Sequence, residues 1–213
     1  MLDPLPALLV LTDRVQAERA GHRLHDLVAM IDGSREVALV FREKDLVGEE
    51  RASLGRRLAA AARGAGIRFV VASDADLARE LDADGVHLAE SDDAEVGPGL
   101  TVGRSCHDMD SVRRAIEDSV AYVTVSPVFE TTSKPGYGPA LGIAGLEQIV
   151  CGTGLPVYAL GGVTVDRARA CVDAGAVGVA VMGAVMGADD PAAVSRALLD
   201  EVLAARLASR GAP

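Results

Sequence analysis

The chain has no tryptophan, three cysteines and only 3% aromatic residues, so it offers no platform on which nucleic-acid bases would stack. Its cysteines, Cys106, Cys151 and Cys171, are odd in number and lack CxxC spacing. That argues against a disulfide framework or a zinc site and fits a reducing cytoplasm. Positive charge is also scarce. The net charge of −10 speaks against general binding to nucleic acid or anionic membranes and makes any local cluster of Arg and Lys informative. No segment reaches the roughly 18 apolar residues of a membrane span. The opening MLDPLPALLVLTDR carries Asp3 and no basic leader, so a soluble, unexported protein is expected. A GxGxxG turn is missing after the first apolar run, where Thr12-Asp13-Arg14 stands instead, and this counts against an open dinucleotide-binding sheet.

What the chain does have is apolar substance, 49% of 213 residues, enough for one large core and a single domain over residues 1–213. Short β-rich runs recur at Leu8–Thr12, Val37–Phe41, Ile67–Ala72, Gly85–Ala89, Thr101–Cys106, Tyr122–Val128, Pro156–Leu160 and Val177–Met182. Helical patterns follow most of them, at Val15–Met30, Glu49–Arg63, a short helix through Leu81 capped by Ser73 or Asp74, Asp108–Ser119, Ile143–Val150, Thr164–Ala174 and Pro191–Leu207. Residues 94–100 hold two glycines and a proline, which predicts a reduced crossover there. Eight strand runs in this order, apolar enough to be buried on both faces, predict parallel strands closed into a TIM (β/α)8 barrel.

A barrel gathers the C-terminal ends of its strands at one mouth. The residues at those ends are Arg42 and Lys44, Ser73 and Asp74, Asp92, Ser105 and His107, Thr131 to Lys134, Gly161 and Gly162, and Met182 and Gly183. Thr131, Thr132, Ser133 and Lys134 set three hydroxyl donors beside a cation, the chemistry an anionic oxygen group needs. Gly161-Gly162 and Gly183 follow the seventh and eighth runs, where barrels often cradle a phosphate with backbone N–H groups; the plainer reading is a tight turn. Arg42 and Lys44 are either anion ligands or a solvated pair around Glu43. Asp92 and Asp93 are either a polar loop or, with a diphosphate and waters, a partial Mg2+ site. His107 is a candidate for proton transfer or a helix-start residue. His87, inside a strand, reads as a core or supporting histidine, Cys106 as buried and inert, and His22 and His25 as surface residues.

The stretches LLVLTDR, FREK, DADGVHLAESD, VGRSCH, YVTVSPVFETTSKPG, ALGGVT and AGAVGVAVMGAV together resemble the thiamine phosphate synthase and TenI family over nearly the whole chain. That resemblance implies a TIM-barrel enzyme of thiamine biosynthesis, acting on small phosphate and diphosphate substrates with Mg2+ and prone to self-association. It implies a diphosphate clamp of Arg42, Lys44 and Lys134, with Asp92 as magnesium ligand. It also implies a thiazole-phosphate cradle of Thr131, Ser133, Gly162, Met182 and Gly183, and Ser105 between the reacting halves. The chain departs from the synthase pattern at Val40, where Gln is usual, and at Ala72-Ser73, where Asn-Asp is usual. It departs from the tautomerase branch at Pro127, where that branch has its histidine. A TenI-like thiazole phosphate isomerase and a non-catalytic binder of thiazole or thiamine phosphate therefore stand beside the synthase as alternatives.

Overall fold

The computed structural model describes residues 4–31, 34–131 and 139–210. Its strands are β1 (Leu8–Leu11), β2 (Val37–Phe41), β3 (Arg68–Ala72), β4 (Gly85–Leu88), β5 (Thr101–Cys106), β6 (Tyr122–Val125), β7 (Val157–Leu160) and β8 (Gly178–Val181). They pair in parallel and in chain order, and β8 returns to β1, so the barrel is closed. Around it lie α1 (Arg14–Arg19), α2 (Leu24–Met30), α3 (Gly48–Gly64), α4 (Ala75–Glu80), α5 (Met109–Glu117), α6 (Gly142–Cys151), α7 (Val165–Asp173), α8 (Gly183–Met186) and α9 (Pro191–Arg210). This is the TIM barrel that the recurring runs predict. No helix among the described residues is long and apolar enough to cross a membrane.

Because strand side chains alternate between faces, each run serves two cores. Leu9, Leu11, Ala38, Val40, Val70, Ala72, Tyr122, Tyr158 and Ala180 form one apolar cluster inside the barrel. Their neighbours, such as Leu8, Val10, Leu39, Phe41 and Val71, join the larger cluster shared with the helices. In a chain so poor in aromatics, Tyr122 and Tyr158 fill the barrel centre edge to face, 5.3 Å apart at 74°. Glycines on neighbouring strands make the room: a Cβ on Gly103 would lie 2.1 Å from Tyr122 Cζ, and one on Gly178 2.9 Å from Tyr158 Cε1.

Local chemistry sets the boundaries. Asp13 and Asp74 cap α1 and α4 by accepting from Gln16 N and Leu77 N, and Asp108 closes a capping box with Ser111 on α5. The single helix predicted over Val15–Met30 is in fact two, because Gly21 adopts φ +85° and breaks it. The run Tyr122–Val128 stops being a regular strand at Val125, since Pro127 has no N–H to give. The chain beyond still pairs irregularly, Val128 N donating to Leu160 O and Phe129 N to Gly161 O, both at 2.9 Å. The β4–β5 connection, residues 89–100, contains no helix, as its glycines and proline predict. The short helix α8 was not predicted.

Candidate active site

The strand C-termini open onto one cavity of about 890 Å3. Of the residues singled out in the sequence, Arg42, Lys44, Ser105, His107, Thr131, Gly162, Met182 and Gly183 all line it. Ser133 and Lys134 lie outside the described residues. Arg42 and Lys44 come from the end of β2, and between them Glu43 turns away and is 3% exposed. Both Glu43 oxygens accept from Arg14 N at 3.2 Å, while burial raises its pKa above the usual carboxylate range. Of the two cations Lys44 is exposed, while the glutamate between them is buried. Arg42 is half-buried, its backbone N–H donating to Thr12 Oγ1 at 2.8 Å.

From the end of β7, Gly161 and Gly162 turn the chain with φ of +92° and +64°. A Cβ on Gly162 would meet Glu130 O at 2.4 Å, so only glycine lets the turn pack this closely. Arg167, in the first turn of α7, donates to Gly162 O at 2.8 Å and lies over the Phe129 ring at 4.8 Å. No motif in the sequence singles Arg167 out. The usable signal was a cation in a helix's first turn, against the preference set by the helix dipole. Met182 precedes α8, and Gly183 is its first residue, whose N–H has no partner within the helix.

Ser105 and His107 stand across the mouth, at the end of β5 and just past it, from Arg42, which reaches Met182 Sδ at 3.7 Å. His87 Nε2 lies 3.1 Å from Ser105 Oγ, and its Nδ1 3.2 Å from Tyr122 Oη. Burial holds His87 down at about pKa 4, so it is neutral at pH 7 and supports the site rather than sitting in an inert core. His107 Nδ1 lies 2.7 Å from Ser126 O, which assigns that nitrogen the proton. Its Nε2 faces Glu90 at 3.7 Å, and Glu90 also takes Arg114 at 2.5 Å. This Glu90–His107–Arg114 group joins residues far apart in sequence, which no spacing rule announces. Cys106, beside them, is buried, with its thiol pushed up to about 11.

Asp92 is not part of the cavity wall. Its Oδ2 accepts from Ala89 N at 2.7 Å, and Arg104 holds the same loop through Glu90 O and Asp92 O, both at 3.0 Å. The Arg104 guanidinium also lies 3.3 Å from Asp118, near enough for an ion pair but not aligned as a hydrogen bond. Asp92 is still near enough for its charge to act on His87, where it opposes the effect of burial. Asp74 is committed elsewhere, to Leu77 N and to Arg51, each at 2.9 Å. Among the described residues no three His, Cys, Asp or Glu side chains converge as a metal site.

The described cavity wall carries Arg42, Lys44, Arg114 and Arg167 against Glu90 and Glu130, a local cationic excess in a chain of net charge −10. A closed barrel with such a mouth defines the class: a TIM barrel whose described cavity wall carries more positive than negative charge. The thiamine monophosphate synthase family matches residues 8–185, and the chain belongs to that family. A thiamine-phosphate synthase of Roseiflexus castenholzii is 38% identical, covering 94% of this chain and 96% of that one. One from Levilactobacillus brevis is 39% identical over 76% of this chain and 80% of its own. A solved thiamine phosphate pyrophosphorylase from Pyrococcus furiosus superposes with a TM-score of 0.78 at 28% identity, covering 93% of this chain and 96% of that chain.

Proposed function

We propose that this chain is a thiamine-phosphate synthase that couples hydroxymethylpyrimidine diphosphate to hydroxyethylthiazole phosphate and releases diphosphate. The observation that carries the reading is that Arg42 and Lys44 at the end of β2 and Gly162, Met182 and Gly183 at the ends of β7 and β8 border one cavity. One face suits a diphosphate and the other a phosphate monoester. In the reaction the methylene C–O bond breaks, the electron pair leaves with diphosphate, and the thiazole nitrogen lone pair forms the new C–N bond. No protein nucleophile is needed.

Arg42, Lys44 and Lys134 neutralise charge developing on the leaving group, the interaction that lowers such a barrier. Thr131, Ser133 and the glycine turns hold the thiazole phosphate. Asp92 does not line the cavity; it is the carboxylate that the family resemblance gives to Mg2+, a cation that would further neutralise the diphosphate when bound. His107 is assigned no step, because the coupling moves no proton. A cytoplasmic location suits Cys106, Cys151 and Cys171, all of them free thiols. Self-association is expected from the family resemblance.

The test is incubation of purified protein with both substrates and Mg2+, with product measured by chromatography. Thiamine phosphate is expected, and none at high enzyme concentration would overturn the assignment. Arg42→Ala is expected to lower kcat/KM on the order of a hundredfold, the scale of losing a charged donor to a developing anion. An unchanged rate would remove Arg42 from the clamp.

A further inference from the structure

The hydroxyl of Tyr122 sits at the barrel centre with 0% exposure, where a phenol proton must find a protein acceptor. Among the described residues its one hydrogen-bond partner is His87 Nδ1, at 3.2 Å. The neighbouring Tyr158 hydroxyl donates to Pro6 O at 2.6 Å and is not paired with Tyr122. Burial raises the Tyr122 pKa, so the proton stays on the phenol. Tyr122 therefore donates and His87 Nδ1 accepts.

A neutral imidazole that accepts at Nδ1 carries its proton at Nε2. That Nε2–H faces Ser105 Oγ at 3.1 Å and the buried Thr124 Oγ1 at 3.3 Å. Ser105 thus receives a hydrogen bond from the barrel interior, and its own O–H is left for the cavity that it lines. The packing holds this order in place. The Tyr122 ring stacks on His87 at 5.6 Å and 24°, in space that exists because position 103 is glycine.

We infer that Tyr122 and His87 are positioning residues that fix the direction of the Ser105 O–H, so that the serine which the family resemblance sets between the reacting halves donates to the anionic group bound in the cavity. With its one buried base already protonated at Nε2, Ser105 has no group to deprotonate it and does not act as a nucleophile. The identity of the anion, the leaving diphosphate, rests on the function proposed above; the direction of the hydrogen bonds does not.

Two measurements test this. Long-range 1H–15N correlation spectra of the ligand-free protein at pH 7 distinguish histidine tautomers, and with four histidines in the chain assignment by single replacement is practical. His87 is expected as the Nε2–H tautomer; an Nδ1–H pattern overturns the proposal whatever reaction the protein performs. In the coupling assay, Ser105→Ala is expected to lower kcat about tenfold to a hundredfold with little change in the KM for the diphosphate substrate. Tyr122→Phe should lower kcat less, and the double variant should match Ser105→Ala alone, because Tyr122 acts through Ser105. Additive losses would show Tyr122 to be merely structural.

Discussion

A single histidine sets much of the acid sensitivity expected of this protein. His87 is buried with its pKa lowered to about 4 from an ordinary 6.5, because the folded barrel disfavours the charged ring. Above pH 6.5 the ring is neutral in both the folded and unfolded chain and costs nothing. Below it the unfolded chain takes up a proton that the folded one refuses, so stability falls as the pH drops from about 6.5 towards 4. The loss should be on the order of 3 kcal/mol across that window. Glu43 works in the opposite direction, since its raised pKa favours the folded state at low pH. Comparing urea unfolding of the wild type with that of His87→Gln isolates the histidine. A stability difference between the two that does not change from pH 7 to pH 4 would refute this account.

At the level of elements, the turn between β7 and α7 is the most constrained part of the mouth. Gly162→Ala would force a side chain into φ +64° and within 2.4 Å of Glu130 O, so the backbone must shift. The expected cost is on the order of 2 kcal/mol of stability. The KM for thiazole phosphate should rise at least about tenfold, while the KM for the diphosphate substrate stays nearly unchanged. Steady-state kinetics varying each substrate in turn would detect the asymmetry, and equal rises would remove the turn from phosphate binding. The sequence showed this turn because Gly161-Gly162 follows a strand run, and it showed strands such as β1, β2 and β8 because burial on both faces leaves near-continuous apolar runs. It hid what depends on three dimensions. The end of β6 was overextended because apolar residues past Pro127 still pair, and the Glu90–His107–Arg114 group joins a loop after β4, a loop after β5 and helix α5.

Seen whole, the cavity floor is chemically divided. Leu11, Val40, Ala72, Leu160 and Ala180 line it from β1, β2, β3, β7 and β8, whereas His87 and Ser105 line it from β4 and β5. With the diphosphate held at Arg42 and Lys44 as proposed, the ring joined to it by one methylene would meet Val40, two residues before Arg42 and near the end of β2. An apolar wall rejects ring analogues weakly, while a wall built to hydrogen-bond them rejects those lacking the bond by orders of magnitude. Replacing the pyrimidine amino group by methyl should therefore weaken binding of the diphosphate by less than about tenfold. Val40→Gln should widen that gap. Calorimetry in the absence of thiazole phosphate measures both, and a wild-type gap above a hundredfold would contradict the assignment of this wall to the ring.

The closed strand order also bears on how such an enzyme can change. Each strand contributes its own few residues to the rim, and its neighbours hold the backbone in register whatever those residues are. Val40, Ala72 and Ser73 can therefore differ from the residues usual in the family that the sequence resembles without disturbing the strands that carry them. A closed barrel lets its rim be rewritten strand by strand over an unchanged backbone.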